Sequence, residues 1–149
     1  MASPSSLIKF DVCMYKKDEV SYEDFVEWAT KVYPVKAKPV IQKYVVKWTQ
    51  TVNPAHFREP LRHALKNDMG RPGWTIPDYD FVATYWLHSL DDLRLLTTDP
   101  AWAELEEGAL ARTNLSVGHF VIGHEVVHFE NNKPVAGAGA GAPADAANS

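Results

Sequence analysis

A single cysteine, Cys13, is all the thiol the chain carries, which excludes an internal disulfide and any paired-cysteine redox or metal centre. Dense lysine or arginine runs are missing as well. With a formal net charge of -4 over 149 residues, nothing attracts nucleic acid or an anionic membrane, and neither is expected as a partner. No apolar run is long enough for a membrane span. The opening Met1-Ala2-Ser3-Pro4-Ser5-Ser6 lacks the apolar stretch of a secretory signal, so a cytoplasmic location is expected. Large apolar residues also run out at the other end. Residues 133–149, mostly alanine and glycine, are expected to form a disordered tail that cannot offset the entropy of ordering it. Residues 1–132 are left as one domain of ordinary size.

What is present alternates between two periods. Ile8, Phe10, Val12 and Met14 fall on one side of a strand, and Lys9, Asp11, Cys13 and Tyr15 on the other. Ser21, with Asp24 three residues on, opens a helix whose Phe25, Trp28, Ala29 and Val32 recur at helical spacing until Tyr33-Pro34. Lys43 to Gln50 alternates again, with Tyr44, Val46 and Trp48 together, and predicts a second strand. Asn53-Pro54 followed by Phe57, Leu61 and Leu65 predicts a short helix, interrupted at Pro60, within a 53–78 insertion placed to cover a pocket or merely to decorate the surface. Tyr79 to Leu87 is the third strand. Ser89 and Asp99-Pro100 open two further helical runs, and His119 to Phe129 is the fourth strand. The order β-α-β-β-α-β predicts an α+β, ferredoxin-like fold: a four-stranded antiparallel sheet with helices on one face. Its other face has no cover within the chain, and a homodimer is expected to supply it.

His124-Glu125-Val126-Val127-His128 spells the zinc-protease pattern H-E-x-x-H. That chemistry needs a helix, where residues four apart stand about 5–6 Å from each other and share one zinc. In a strand the same histidines are roughly 13 Å apart, at about 3.3 Å per residue. The surrounding β-branched and aromatic residues favour the strand, and position 134, where a third histidine would fall, is Pro134. No metal is expected.

Together, Leu7-Ile8-Lys9, the helix Ser21 to Trp28, Lys43-Tyr44-Val45, Tyr79-Asp80, Ser89-Leu90-Asp91-Asp92, Asp99-Pro100 and His119 to Glu125 resemble the EthD-like proteins of the dimeric α/β-barrel superfamily. The likeness covers roughly Leu7 to Phe129. It is most similar to small fungal enzymes of aromatic polyketide pathways, and implies a cofactor-independent decarboxylase or dehydratase. Such proteins carry a histidine before a proline at the end of the first helix and another on strand two. Those places here hold Tyr33 and Trp48, so the family's acid–base pair is not carried over.

His119 and His124 lie on opposite faces of the fourth strand, so at most one of them is expected to face the interior between subunits and move a proton; a strand histidine is more often a structural hydrogen-bonding residue. Asp11 and Asp80 are the expected carboxylates that orient or tune it, with an ion pair to lysine as the bland reading of Asp11. Tyr44, Trp48, Tyr85 and Trp86 provide flat walls for a polycyclic aromatic substrate, and Tyr33 and Tyr44 provide phenols for its oxygens. The expected function is a lyase removing carbon dioxide or water from an aromatic polyketide. A cofactor-free cyclase or monooxygenase and a non-catalytic binding protein are the alternatives.

Overall fold

The computed structural model describes residues 7–135. Strand β1 (Ile8–Lys16) pairs antiparallel with β3 (Phe81–Leu87) and β4 (Thr113–His124), while β2 (Lys47–Val52) pairs with β3, giving the order β2-β3-β1-β4. This is the ferredoxin-like sheet expected from the sequence. Register assigns the two faces. Phe10 opposes Tyr85 and Ile122, Val12 opposes Ala83 and Phe120, and Trp48 opposes Tyr85, so these residues share the helix side. Lys9, Asp11 and Cys13 share the open side with Trp86, Thr84, Val82, His119 and Val121.

Three helical units cover the helix side. In α1 (Tyr22–Glu27), the Ser21 hydroxyl accepts from the Asp24 backbone N–H at 3.1 Å. This occupies one of the unpaired donors at a helix start. The chain was expected to break at Tyr33-Pro34, and instead it widens. Trp28–Val32 forms a π-helical turn, in which the Tyr33 N–H donates to the Trp28 carbonyl five residues back, and α2 (Tyr33–Ile41) continues with Pro34 in its first turn. A proline ring clashes with the carbonyl four residues before it, and the wider turn accommodates that clash. The Gln50 side chain on β2 donates to the Ala29 carbonyl within this turn, at 2.9 Å. Phe25, Ala29, Ala37 and Ile41 then bury against Phe10, Phe81 and Leu87, with Leu96 of α4 (Leu90–Thr98) and Leu105 of α5 (Pro100–Ala109) closing the core.

Strand β2 begins four residues later than expected. Tyr44 and Val46 therefore leave the strand: Tyr44 lies in the turn after α2, where its phenol donates to Asp99 at 2.8 Å. Asp99 also caps α5, accepting from the Ala101 N–H at 2.9 Å, and pairs with Lys43 at 3.3 Å. The Ala101 bond first, then Tyr44 and Lys43, hold its carboxyl below the usual value. A carboxyl lowered in the folded state contributes stability above its unfolded pKa, and that contribution is lost as pH falls through the folded one. Asp99→Asn is therefore expected to melt below wild type at neutral pH. The gap should close from about pH 4 downward; a gap constant across that range in thermal melts would refute the assignment.

The insertion forms α3 (Ala55–Asn67), through which Pro60 passes. None of its residues is buried, and Phe57 and Leu61 face solvent. Arg58, donating to the Tyr79 carbonyl at 3.2 Å, and Arg62, paired with Asp78, tie it to the chain before β3. After β4 a small hairpin pairs β5 (Phe129–Glu130) with β6 (Lys133–Pro134). The expected tail boundary at 132/133 falls inside this hairpin, and residues 136–149 of that tail lie outside the described residues. The fourth strand, expected to reach Phe129, ends at His124. Of the H-E-x-x-H string only His124 belongs to the strand, and Glu125 to His128 form a loop without the helical spacing the motif needs. No helix among the described residues is long and apolar enough to cross a membrane.

Candidate active site

A cavity of about 960 Å3 lies on the helix side of the sheet, between it and α1, α4 and α5. Its floor is made of the inward residues of β1, β2 and β3: Phe10, Val12, Trp48, Gln50, Ala83 and Tyr85. Trp48 and Tyr85 stand opposite each other in neighbouring strands, and their rings stack at 6.2 Å with an interplanar angle of 3°. Tyr33, brought to the rim by the widened helix, meets Trp48 edge-on at 6.3 Å. Trp28, Phe25 and Trp102 extend the wall. Such a flat, largely apolar enclosure fits a fused-ring ligand.

Few polar atoms interrupt it. The Trp48 indole N–H is buried and has no hydrogen-bond partner among the described residues, an arrangement that costs free energy until an acceptor reaches it. Burial, with the Glu106 charge adding to it, pushes the Tyr33 phenol up to about 12, and burial likewise raises Tyr85. Both phenols are thus proton donors in hydrogen bonds at neutral pH and poor proton acceptors. On α5, Glu106 lines the same cavity and accepts from the Trp102 indole N–H at 3.0 Å.

The residues singled out from sequence divide around this cavity. Tyr33, Trp48 and Tyr85 line it, and Tyr44 and Trp86 do not. Tyr44 is drawn away to Asp99. Trp86 lies on the open face, where Lys47 and Lys9 sit over its ring at 4.5 and 5.8 Å and its N–H donates to Glu125 at 3.2 Å. Asp11 is on the open face too, accepting from the Thr84 hydroxyl at 2.5 Å. The bland reading gave it Lys9 or Lys47 as an ion-pair partner; Lys9 approaches Glu125 instead, at 3.9 Å. The large cavity lies within one chain, under the helices.

His124 ends β4 and Asp80 precedes β3, while His119 lies within β4. His124 holds the Leu7 carbonyl through Nδ1 at 3.1 Å and does not line the cavity. His119 borders the cavity but points by register to the open face, where its Nδ1 meets the Tyr79 hydroxyl at 2.8 Å. Asp80 accepts from the Lys16 N–H at 2.9 Å. His119 and Asp80 share a second cleft of about 390 Å3, beside the point where β4 slips register against β1. Gly118 packs closely at that slip: a Cβ there would stand 3.2 Å from the Cys13 carbonyl oxygen, and the backbone would have to give by a few tenths of an ångström.

Sequence reasoning missed Gln50, Trp102 and Glu106. Gln50 shares a strand face with Trp48, and Trp102 and Glu106, four apart on α5, share a helix face. Those spacings were readable, but nothing local connected either pair to a cavity.

An α+β ferredoxin-like domain with an aromatic cavity roofed by its own helices is the class of protein that this fold and site define. The chain belongs to the family described as the EthD domain, whose pattern matches residues 17–111. Dehydratase iacD of Pestalotiopsis fici is 31% identical over 130 residues, covering 84% of this chain and 90% of that protein. Among solved structures, an EthD-like protein of Ralstonia eutropha aligns with TM-score 0.55 and 14% identity, over 84% of this chain and 96% of that one. A dimeric ferredoxin-like protein of Thermobifida fusca aligns with TM-score 0.53 and 14% identity, over 80% and 91%.

Proposed function

We propose that the chain is a cofactor-independent lyase, acting on a polycyclic aromatic polyketide and removing water from it in preference to carbon dioxide. The aromatic cavity with its unpartnered Trp48 N–H carries this reading. The likeness to a protein named as a dehydratase favours loss of water. Tyr33, Trp48 and Tyr85 hold the ring system. Loss of water from a partly reduced ring creates an aromatic one, so much of the driving force resides in the substrate, and positioning plus one proton transfer suffices. Asp11, Asp80, His124, Tyr44 and Trp86 act structurally in this reading. His119 stays adjacent to the cavity as a second-cleft residue, and His119→Ala is expected to retain turnover.

The active form is a homodimer. Phe120, Val121 and Ile122 of edge strand β4 are 70%, 57% and 51% exposed, an apolar run on both faces that a lone sheet edge does not tolerate well. The open face carries two cations, Lys9 and Lys47, and two anions, Asp11 and Glu125, so a second copy meets no net charge there. The similar protein of Thermobifida fusca is itself dimeric.

Mass spectrometry of a partly reduced polyketide incubated with purified protein tests the reaction. Loss of one water is expected. Loss of carbon dioxide, gain of oxygen or an isomer of unchanged mass would redirect the assignment to decarboxylase, monooxygenase or cyclase, and tight binding with unchanged substrate would make the chain a binding protein.

A further inference from the structure

One side chain suited to carry the proton lines the cavity from an exposed position on α5, and sequence reading did not single it out. Five ionisable side chains other than Glu106 line it: Cys13, Tyr33, Tyr85, Arg94 and His119. Both tyrosines are kept protonated by burial. Burial, and then the Asp11 charge, does the same to Cys13, which faces the other side of the sheet. Arg94 is paired with Asp91 at 2.9 Å and, as a guanidinium, does not give up its proton. His119 is engaged with Tyr79 on the open side. Glu106 remains. Trp102 fixes its Oε1, and among the described residues its Oε2 has no donor and no cation beside it. It lines the same cavity as Tyr33 and Trp48.

Resting on the lyase reading above, we infer that Glu106 is the catalytic acid–base of the cavity, and that the Trp48 indole N–H together with the Tyr33 hydroxyl binds the carbonyl oxygen of a β-hydroxy ketone substrate. Glu106 takes the proton from the carbon between carbonyl and carbinol. The electron pair of that C–H bond passes to the carbonyl oxygen, where the two donors hold the enolate. As the pair returns, the carbon–carbon double bond forms and the C–O bond breaks, and Glu106 returns its proton to the departing hydroxide. One water leaves, and the carboxylate ends as it began. The single free oxygen on Glu106 suits this shuttle, because no second acid is needed. Trp102 is a positioning residue that fixes the carboxylate.

Two readouts test this. Binding of emodin, a tricyclic polyphenol, is followed by quenching of intrinsic tryptophan fluorescence, since Trp28, Trp48 and Trp102 line the cavity. Turnover is followed with a hydroxytetralone bearing its hydroxyl β to the ketone, which becomes a fluorescent naphthol on losing water. Glu106→Gln is expected to bind emodin within about twofold of wild type and to lose roughly a hundredfold or more in turnover, as removal of a general acid–base does. Glu106→Asp should recover part of that loss. Trp48→Phe should raise KM or lower kcat by about tenfold, as loss of one hydrogen bond to substrate does. Turnover in Glu106→Gln equal to wild type would overturn the assignment while leaving the lyase reading intact. Wild type that binds emodin but produces no naphthol would overturn the lyase reading itself, and no binding would remove the cavity as the site.

Discussion

Replacing Phe25 by alanine is expected to lower the unfolding free energy by about 3–5 kcal/mol, the range for deleting a large aromatic side chain from a core. The ring is 1% exposed and is held from two directions: Phe81 of β3 meets it edge-on at 5.9 Å, and Trp28 of the π-helical turn lies at 6.1 Å. The ring joins α1, the widened turn and the sheet at once, so its removal leaves a cavity bordered by all three. Because a domain of this size holds only about 5–15 kcal/mol in total, the variant should unfold at a much lower urea concentration. It should also lose emodin binding, since Phe25 forms part of the cavity wall. Phe57→Ala on α3 is the matching control. That ring is 66% exposed, and its removal should cost less than about 0.5 kcal/mol. Equal losses in the two variants would mean that the packing of α1 on the sheet is not as described.

Features whose causes are local could be read from the sequence. Ser21, Ser89 and Asp99 each cap the helix they were assigned to, because a cap needs only its own side chain and an N–H two or three residues on. The alternation of β1 and the order of the four sheet strands likewise hold, with the β5–β6 hairpin added after them. Errors arose where a distant partner decides. Tyr44, Val46 and Trp48 alternate as a strand should, yet Tyr44 is claimed by Asp99, 55 residues away, and the strand starts only at Lys47. Tyr33-Pro34 reads as a helix end because proline removes a donor, and only the Gln50 contact from β2 shows how the widened turn is kept.

Placement of the site followed the same division. Aromatic residues occur on both faces of β3, and period two says that Tyr85 and Trp86 point oppositely without saying which of them meets a cavity. The helices decide it, since they cover the Tyr85 side and leave Trp86 to two lysines. The departures at Tyr33 and Trp48 prove coherent in three dimensions. Both positions line one cavity and their rings meet edge-on, while Glu106 of α5 lines the same cavity and accepts from Trp102. A carboxylate on an exposed helix is too common in any sequence to be noticed alone, and only its distance from the Trp102 indole sets Glu106 apart.

Val121→Asp should separate the proposed dimer into monomers, with a rise of roughly a thousandfold in dissociation constant, equivalent to about 4 kcal/mol. Val121 lies in register with Asp11 across β1 and β4, on the open face, so the substitution sets two carboxylates directly opposite each other in neighbouring strands. Asp11 already spends one oxygen on the Thr84 hydroxyl, and the two cations of that face are engaged at its far end, by Trp86 and Glu125. A second subunit covering this face would remove water from an uncompensated pair of charges, whereas in a single chain Val121 is 57% exposed and the new carboxylate would remain hydrated. Association should therefore suffer far more than folding. Sedimentation across a concentration series, with circular dichroism on the same samples, separates the two effects. A variant that stays dimeric with wild-type affinity would place the subunit contact elsewhere, while a monomer with an unchanged spectrum and intact emodin binding would show that the cavity is complete within one chain.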